Sequence, residues 1–185
     1  MLLAMIGLLL LALATAQVDA GVDVATEYSS ALARLTAARN ARQRFYALRG
    51  AAKAAIAVGK MPEAQAYATE LLESASQFQD DWNYGNAVHD GHLVLGRLAF
   101  RGGDAETAKA ELLAAGETPG SPQLNSFGPN MALAKDLLEL GDTDTVLEYF
   151  RRCEGFWASG AERLTRWRLA IADGRVPDFG ANLRY

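Results

Sequence analysis

Cysteine is nearly absent from this sequence. Among the 185 residues only Cys153 carries a thiol, so no intramolecular disulfide can form and packing alone must hold the fold. Valine and isoleucine are also sparse, and no segment alternates apolar with polar side chains as a half-buried strand would. Aromatic residues make up 9% of the chain, whereas alanine, the strongest helix former, supplies much of its apolar surface. The composition therefore predicts an all-α fold.

Motifs of the common enzyme classes are missing as well. There is no Gly-x-Ser-x-Gly, no His-Glu-x-x-His, no Cys-x-x-Cys and no glycine-rich loop of the kind that holds phosphates. We therefore predict that the chain is not an enzyme and that it has no catalytic residue, no cofactor and no metal site. Cys153 is expected to be a small buried residue, and buried thiols are usually inert.

One group of polar residues leaves an alternative open. Asn86, His89, Asp90 and His92 are close in sequence, and the two histidines are three residues apart, a spacing that brings side chains together on a helix. They could share a metal or form an unfamiliar enzyme site, but zinc requires three or four ligands and no motif supplies the third. We favour packed or hydrogen-bonded histidines. The predicted packing stripe of this helix consists of Val88, His92, Leu95 and Ala99.

The first twenty residues differ from the rest of the chain. Leu2 to Leu13 is an uncharged apolar run, shorter than the roughly 20 apolar residues that a membrane-spanning helix needs. Two small-x-small sites of the type that signal peptidase cleaves follow it, ending at Ala16 and Ala20. Residues 1–20 are therefore predicted to be a signal peptide, and residues 21–185 a single domain exported to the periplasm or the cell exterior. Because no Lys or Arg precedes the run, an uncleaved membrane anchor at residues 1–20 is the alternative.

Charge is unevenly distributed along the chain, although the net charge is only -4. The stretch from Tyr28 to Pro62 holds seven bases and no acid, whereas the stretch from Glu63 to Glu148 holds fifteen acids and four bases. A basic stretch can indicate binding to nucleic acid or anionic lipid. We favour pairing between the two stretches within one domain, with no nucleic-acid partner and with membrane contact only through an uncleaved N-terminus.

Three segments of the sequence share one pattern. Each has a helical stretch, a glycine turn and a second helical stretch, and the turn glycines are Gly59, Gly103 and Gly141. Glycine suits a helix end because it tolerates positive φ, and Asp104 and Asp142 suit the start of the next helix. Such short turns make the two helices antiparallel neighbours. One hairpin cannot bury its own apolar stripe, so three hairpins are expected to stack.

The three segments resemble tetratricopeptide (TPR) repeats over roughly Ala41 to Cys153. The aliphatic-small pairs Leu95-Gly96 and Leu133-Ala134 match the family's first helix. In the second helix the match rests on Ala108, Leu112 and Ala115, with Pro122 near the end of the unit. The turn glycines are 44 and 38 residues apart, more than the TPR period of about 34, and the excess falls between the repeats. The resemblance implies a TPR-like α-solenoid of about three repeats. Helices at 22–39 and 161–173 would cap its two ends.

The resemblance also implies a concave groove lined by the first helix of each hairpin, where a protein or peptide partner would bind. An acidic peptide is one candidate, because each repeat contributes at least one base to this face. The alternative is that these bases pair with Asp90, Asp136 and Glu139. The function predicted is that of a binding scaffold or adaptor in the cell envelope. The predicted peptide-binding residues are Arg49, Lys53, Leu93, Arg97, Phe100, Arg101, Met131 and Lys135.

Overall fold

The chain is helical throughout the part that its structure, a computed structural model, describes, namely residues 23–184. Helix α1 covers 23–36 within these residues, and no strand occurs among them. The all-α prediction is therefore confirmed for this part, whereas the predicted signal segment lies outside it. The remaining helices are α2 (Ala41–Ala57), α3 (Met61–Ala75), α4 (Tyr84–Arg101), α5 (Ala105–Ala115), α6 (Pro122–Phe127), α7 (Ala132–Glu139), α8 (Thr143–Cys153) and α9 (Ala161–Ala172).

Three antiparallel hairpins, α2–α3, α4–α5 and α7–α8, are closed by turns of the same kind. The turn glycines have φ of 77°, 82° and 88°, and in each turn the residue after the glycine donates its N–H to a carbonyl five residues back. This is the Schellman arrangement, which favours glycine because other residues avoid positive φ. Asp104 and Asp142 then cap α5 and α8 by accepting backbone N–H groups, at 3.0 Å from Thr107 and 3.1 Å from Thr145. The predicted turns and caps are confirmed.

The first three of these helices are held together by small side chains. We call the core between α2, α3 and α4 the alanine-packed region, because most of its fully buried side chains are alanines. Small side chains allow helix axes to approach closely. The buried alanines are Ala51, Ala52, Ala55, Ala64, Ala68, Ala75 and Ala87.

Aromatic side chains build the core at the other end of the molecule. The ring centroids of Trp167 lie 4.9 Å from Phe179 and 5.7 Å from Trp157, in the edge-on or tilted geometry that aromatic pairs prefer. Helix α9 confirms the predicted C-terminal helix, and the chain after it turns back through a 3₁₀ turn at Gly180–Leu183. We call this core the aromatic-packed region; its rings come from Tyr149, Phe150, Phe156, Trp157, Trp167 and Phe179.

Helix α4 is central, since it contacts α2, α3, α5 and α7. The predicted stripe on this helix is only half-buried, and the fully buried positions include His89 and Gly96 instead. The prediction that the side chains in line with His92 form the packed face of this helix is therefore wrong. A helix covered on most sides has no single buried face, so a search for one apolar stripe fails on it.

Candidate functional site

Asp90 of α4 lies buried where α2 meets α4. Its Oδ2 accepts a hydrogen bond from Arg49 Nε at 2.6 Å and lies 3.5 Å from Lys53 Nζ. Its Oδ1 is 2.9 Å from Nδ1 of His89. Two of the predicted groove bases therefore contact a carboxylate of the neighbouring helix, as in the alternative that the sequence left open.

His89 extends this network to α8. Its Nε2 lies 3.2 Å from the hydroxyl of Tyr149, which also lies 3.3 Å from the carbonyl of Asn130. The tyrosine hydroxyl donates to that carbonyl, whereas the donor and acceptor roles of the two imidazole nitrogens depend on the tautomer. The His89 side chain is fully buried. Its ring is thus a buried link between α4 and α8.

The electrostatics of Asp90 follow from its neighbours. Burial alone would raise the pKa of this carboxyl, but the charges of Lys53 and Arg49 and the hydrogen bond from the imidazole hold that pKa far below its ordinary value. Burial also lowers the pKa of Lys53, and Asp90 offsets part of this shift. The carboxylate therefore stabilises the fold at neutral pH, and this contribution diminishes as the pH falls below about 3.9, the pKa of an unfolded aspartate.

The apolar residues of the predicted groove belong to the core. Met131 is fully buried, Leu93 is 5% exposed, and Phe100 is half-buried against the aromatic-packed region. Met131 precedes α7, and its N–H donates to the carbonyl of Asn182 at 2.7 Å, so it does not lie on an exposed helical face. A peptide cannot contact the Met131 or Leu93 side chains, and this part of the predicted groove is corrected.

Two further predicted bases are held by neighbours. Lys135 forms an ion pair with Glu139, one turn along the same helix. Arg101 donates from Nη1 to the carbonyl of Ile56 at 3.0 Å. Glu139 thus offsets the charge of Lys135, whereas the Ile56 carbonyl occupies one donor of Arg101 without neutralising its charge.

Arg97 is less completely compensated. The pKa of its guanidinium is lowered by burial and by the nearby charge of Arg101, and Asp136 offsets part of the shift. Its Nε is buried and has no hydrogen-bond partner among the described residues. The neighbouring cavity, which Lys53 also lines, is only about 110 Å³.

The other histidine does not join this network. His92 Nδ1 lies 2.8 Å from Glu111 Oε2, so the imidazoles of His89 and His92 contact different partners. Within residues 23–184, no three His, Cys, Asp or Glu side chains are arranged to hold a metal ion. Cys153 is buried, as predicted, and burial raises the pKa of its thiol far above the ordinary value.

A larger cavity, of about 450 Å³, opens between α2, α4, α6 and the C-terminal segment. We call it the arginine pocket. Its charged lining residues are Arg49, Arg163, Arg184 and Asp90. Its other walls are formed by Asn86, Gln123, Leu124, Ser126, Phe127, Gly128 and Ala181.

Asn86 anchors one wall of the arginine pocket. This buried amide donates to Gln123 Oε1 at 2.9 Å and accepts a hydrogen bond from the Ser121 hydroxyl at 2.7 Å. The Ser121 oxygen in turn accepts the N–H of Leu124 and caps α6. The short helix is thereby fixed to α4, because each buried polar group has a partner.

The start of α4 also fits closely against the loop before α6. A Cβ atom on Gly85 would lie 1.8 Å from the carbonyl oxygen of Gly120, so no larger residue fits at this position. The Thr118 hydroxyl donates to the Gly85 carbonyl at 2.7 Å. This loop is thus held against α4 by backbone contact.

Asn182 anchors the opposite wall. Its side-chain N–H groups donate to the carbonyls of Phe127 at 3.1 Å and Pro129 at 2.9 Å. Its Oδ1 lies 3.4 Å from Arg163 Nη1, whose guanidinium lies 5.6 Å from the centre of the Trp157 ring. The C-terminal segment therefore both closes the pocket and helps to position one of its arginines.

Positive charge exceeds negative charge in the arginine pocket. Asp90 is its one acidic lining residue and is already shared between Arg49 and Lys53. Neither Arg163 nor Arg184 forms an ion pair with an acidic side chain in the part of the chain that the structure describes. Guanidinium groups bind carboxylates through paired N–H donors, so these walls are suited to an anionic ligand.

Sequence reasoning missed Arg163, Arg184 and Phe127. The two arginines are far apart in sequence, and no period relates them. Phe127 lies beside the insertion between the second and third hairpins, which carries no repeat signal. Among the lining residues, Arg49 was predicted to bind a peptide, and Asn86 and Asp90 belong to the polar group around the histidines.

No family model matches the chain, and no curated protein or solved structure gives a significant match. The site is therefore interpreted from its own geometry. None of the described helices is both long enough and apolar enough to cross a membrane.

Proposed function

We propose that this chain is a binding module of TPR-like hairpins that captures a carboxylate-bearing protein or peptide in the arginine pocket. Its role is that of an adaptor or scaffold and not of an enzyme. With residues 1–20 as an export signal, it would act in the cell envelope. The observation that carries this proposal is the excess of guanidinium groups over carboxylates in a cavity of about 450 Å³.

The TPR-like assignment is supported by the packing order of the hairpins. Helix α4 contacts both helices of the preceding hairpin, and α5 contacts both helices of the following one. In repeat proteins each repeat packs against its neighbours in the sequence. The shared glycine turns add a second regularity.

The proposed site overlaps only partly with the groove predicted from the sequence. Arg49 lines the arginine pocket, and Lys53 shares its counter-ion. The remaining positive charge comes from Arg163 of α9 and Arg184 of the C-terminal segment, outside the three hairpins. The proposed binding surface therefore requires the capping elements as well as the repeats.

A binding screen with matched peptides tests this function. Each acidic peptide of a fluorescent library is paired with its Asn/Gln counterpart, and binding to the purified protein is measured by anisotropy. We expect acidic peptides to bind selectively and more weakly at higher salt. The double variant Arg163→Glu/Arg184→Glu should weaken binding at least tenfold, since it reverses both unpaired charges.

The matched control is Arg39→Glu/Arg175→Glu, which makes the same change of charge at two exposed sites outside the pocket. Circular dichroism checks that both variants are folded. Equal binding of acidic and neutral peptides, or an equal loss in the control, would overturn the proposed function.

A further inference from the structure

Phe127 is an unusual residue for the mouth of a charged pocket. Its side chain is 72% exposed, more than any other large hydrophobic side chain of the described residues. It lines the same cavity as Arg163 and Arg184. An exposed aromatic ring beside arginines is typical of residues that contribute strongly to binding.

The backbone around Phe127 is held firmly in place. Its carbonyl accepts a hydrogen bond from buried Asn182, and the next residue, Gly128, donates its N–H to Leu124. Gly128 has φ of 85°, and a Cβ atom there would lie 2.4 Å from the Trp157 ring. The backbone that carries Phe127 is therefore fixed by its neighbours at the mouth of the pocket.

We infer that the arginine pocket recognises an apolar carboxylate, in which the anionic group is close to a large apolar group. Arg163 and Arg184 would hold the carboxylate, and the apolar group would pack on Phe127. This inference rests on the proposed function and narrows its ligand class. Phe127 is then the residue that selects among carboxylates.

The size of the cavity agrees with such a ligand. A cavity of roughly 150 Å³ accommodates a benzene ring. The arginine pocket, at about 450 Å³, has room for a ring and a carboxylate together. Leu124 and Ala181 add apolar surface next to Phe127, so a ligand ring would contact more than one side chain.

The chemistry has two natural sources, namely a peptide with a bulky apolar residue beside a carboxylate, or a free aromatic acid. Titrations followed by NMR chemical shifts can separate them. The probes are acetate, phenylacetate, phenylacetamide, N-acetylphenylalanine and N-acetylphenylalaninamide. Tighter binding of N-acetylphenylalanine than of phenylacetate identifies the peptide source, and the reverse order identifies the free acid. Both orders support an apolar carboxylate, but the reverse order contradicts a peptide-binding adaptor.

We expect phenylacetate to bind at least tenfold more tightly than acetate, and at least tenfold more tightly than its uncharged amide. In Phe127→Ser, the preference for phenylacetate over acetate should fall to about twofold or less. The control Trp82→Ser removes another exposed aromatic side chain, outside the pocket, and should keep the full preference.

The outcomes separate the inference from the proposed function. If acidic peptides bind through Arg163 and Arg184 but phenylacetate shows no advantage over acetate, the inference is overturned and the function stands. An undiminished preference in Phe127→Ser has the same meaning. If neither acidic peptides nor any carboxylate probe binds, the proposed function fails and the inference fails with it.

Discussion

The alanine-packed and aromatic-packed regions reach full burial in different ways. Between α2, α3 and α4, small side chains such as Ala51 and Ala68 have no exposed surface. Around α9, rings such as Trp157 and Trp167 fill the space between a helix, a turn and the C-terminal segment. Regular helices can be joined by small residues, whereas irregular segments need large rings to fill the gaps between them.

The residues of the candidate site lie where these two regions meet. Helix α4 contributes Asp90 to the buried network, and the same carboxylate lines the arginine pocket. The alanine-packed side supplies Arg49, and the aromatic-packed side supplies Arg163 on a ring-lined wall. The pocket is therefore sensitive to the relative position of the two regions.

The largest effect is expected from Trp157→Ala in the aromatic-packed region. Trp157 is 1% exposed and contacts Gly128, Gly160 and Trp167, so its removal leaves a cavity bordered by rigid backbone. We expect the free energy of unfolding to fall by about 3–5 kcal/mol. Urea denaturation followed by circular dichroism measures this change.

Trp82→Ala is the matched control, because this indole is 51% exposed. This substitution should lower the free energy of unfolding by less than about 1 kcal/mol, as most substitutions at exposed positions do. Similar losses for the two tryptophans would show that rings do not hold the aromatic-packed region together.

A somewhat smaller loss of unfolding free energy is expected from Asp90→Ala, where the alanine-packed and aromatic-packed regions meet. Removing the carboxylate leaves Arg49 and Lys53 close together without their counter-ion, and breaking a buried pair costs about 3 kcal/mol at the low end of its range. We expect a loss at the low end of this range because the Arg49 side chain is 23% exposed in the folded protein and donates a hydrogen bond to Gln123. Asp80→Ala, at an exposed position, should be nearly neutral.

The effect of Asp90→Ala on stability should also depend on pH. The folded-state pKa of Asp90 is depressed, so its stabilisation is present above about pH 3.9 and is lost as the pH falls. The difference in stability between the wild type and Asp90→Ala should therefore narrow by about 1 kcal/mol from pH 7 to pH 3. A constant difference would contradict the ionised state of Asp90.

The smallest effects contrast two helical glycines. A Cβ atom on Gly96 would lie 2.5 Å from Leu133 Cδ2 and 2.9 Å from Glu111 Cβ, so Gly96→Ala should lower stability by about 1–2 kcal/mol. On Gly50 the nearest atom would be the Arg34 guanidinium at 3.9 Å. Gly50→Ala should therefore raise stability by about 0.5–1 kcal/mol, since alanine favours the helix. Thermal unfolding of both variants tests whether steric crowding of the added Cβ atom or helix propensity determines the change in stability at each position.

Residue patterns predicted the local features of the fold well. Gly59, Gly103 and Gly141 adopt the expected positive φ, Asp104 and Asp142 cap the expected helices, and α9 begins and ends within one residue of its prediction. These features depend on bonds within a few residues, so neighbouring residues suffice to specify them.

The candidate site was predicted only in part. Arg49 and Lys53 were placed on the correct helix, but the assumption that α4 has one packed face put Leu93 toward solvent and His92 toward the core. The buried faces of α4 depend on the helices around it, and their positions are not encoded in the local period of the sequence.

The sequence by itself determined the helical class, the hairpin turns and the helix ends, because short-range backbone hydrogen bonds and conformational preferences fix them. The tertiary structure alone decided which bases are neutralised and which remain available. Asp90 pairs with two predicted bases on another helix, whereas Arg163 and Arg184 meet in one pocket from distant parts of the chain. Ion pairs and cavities depend on distances between segments that are remote in sequence, and those distances exist only after the two regions have packed.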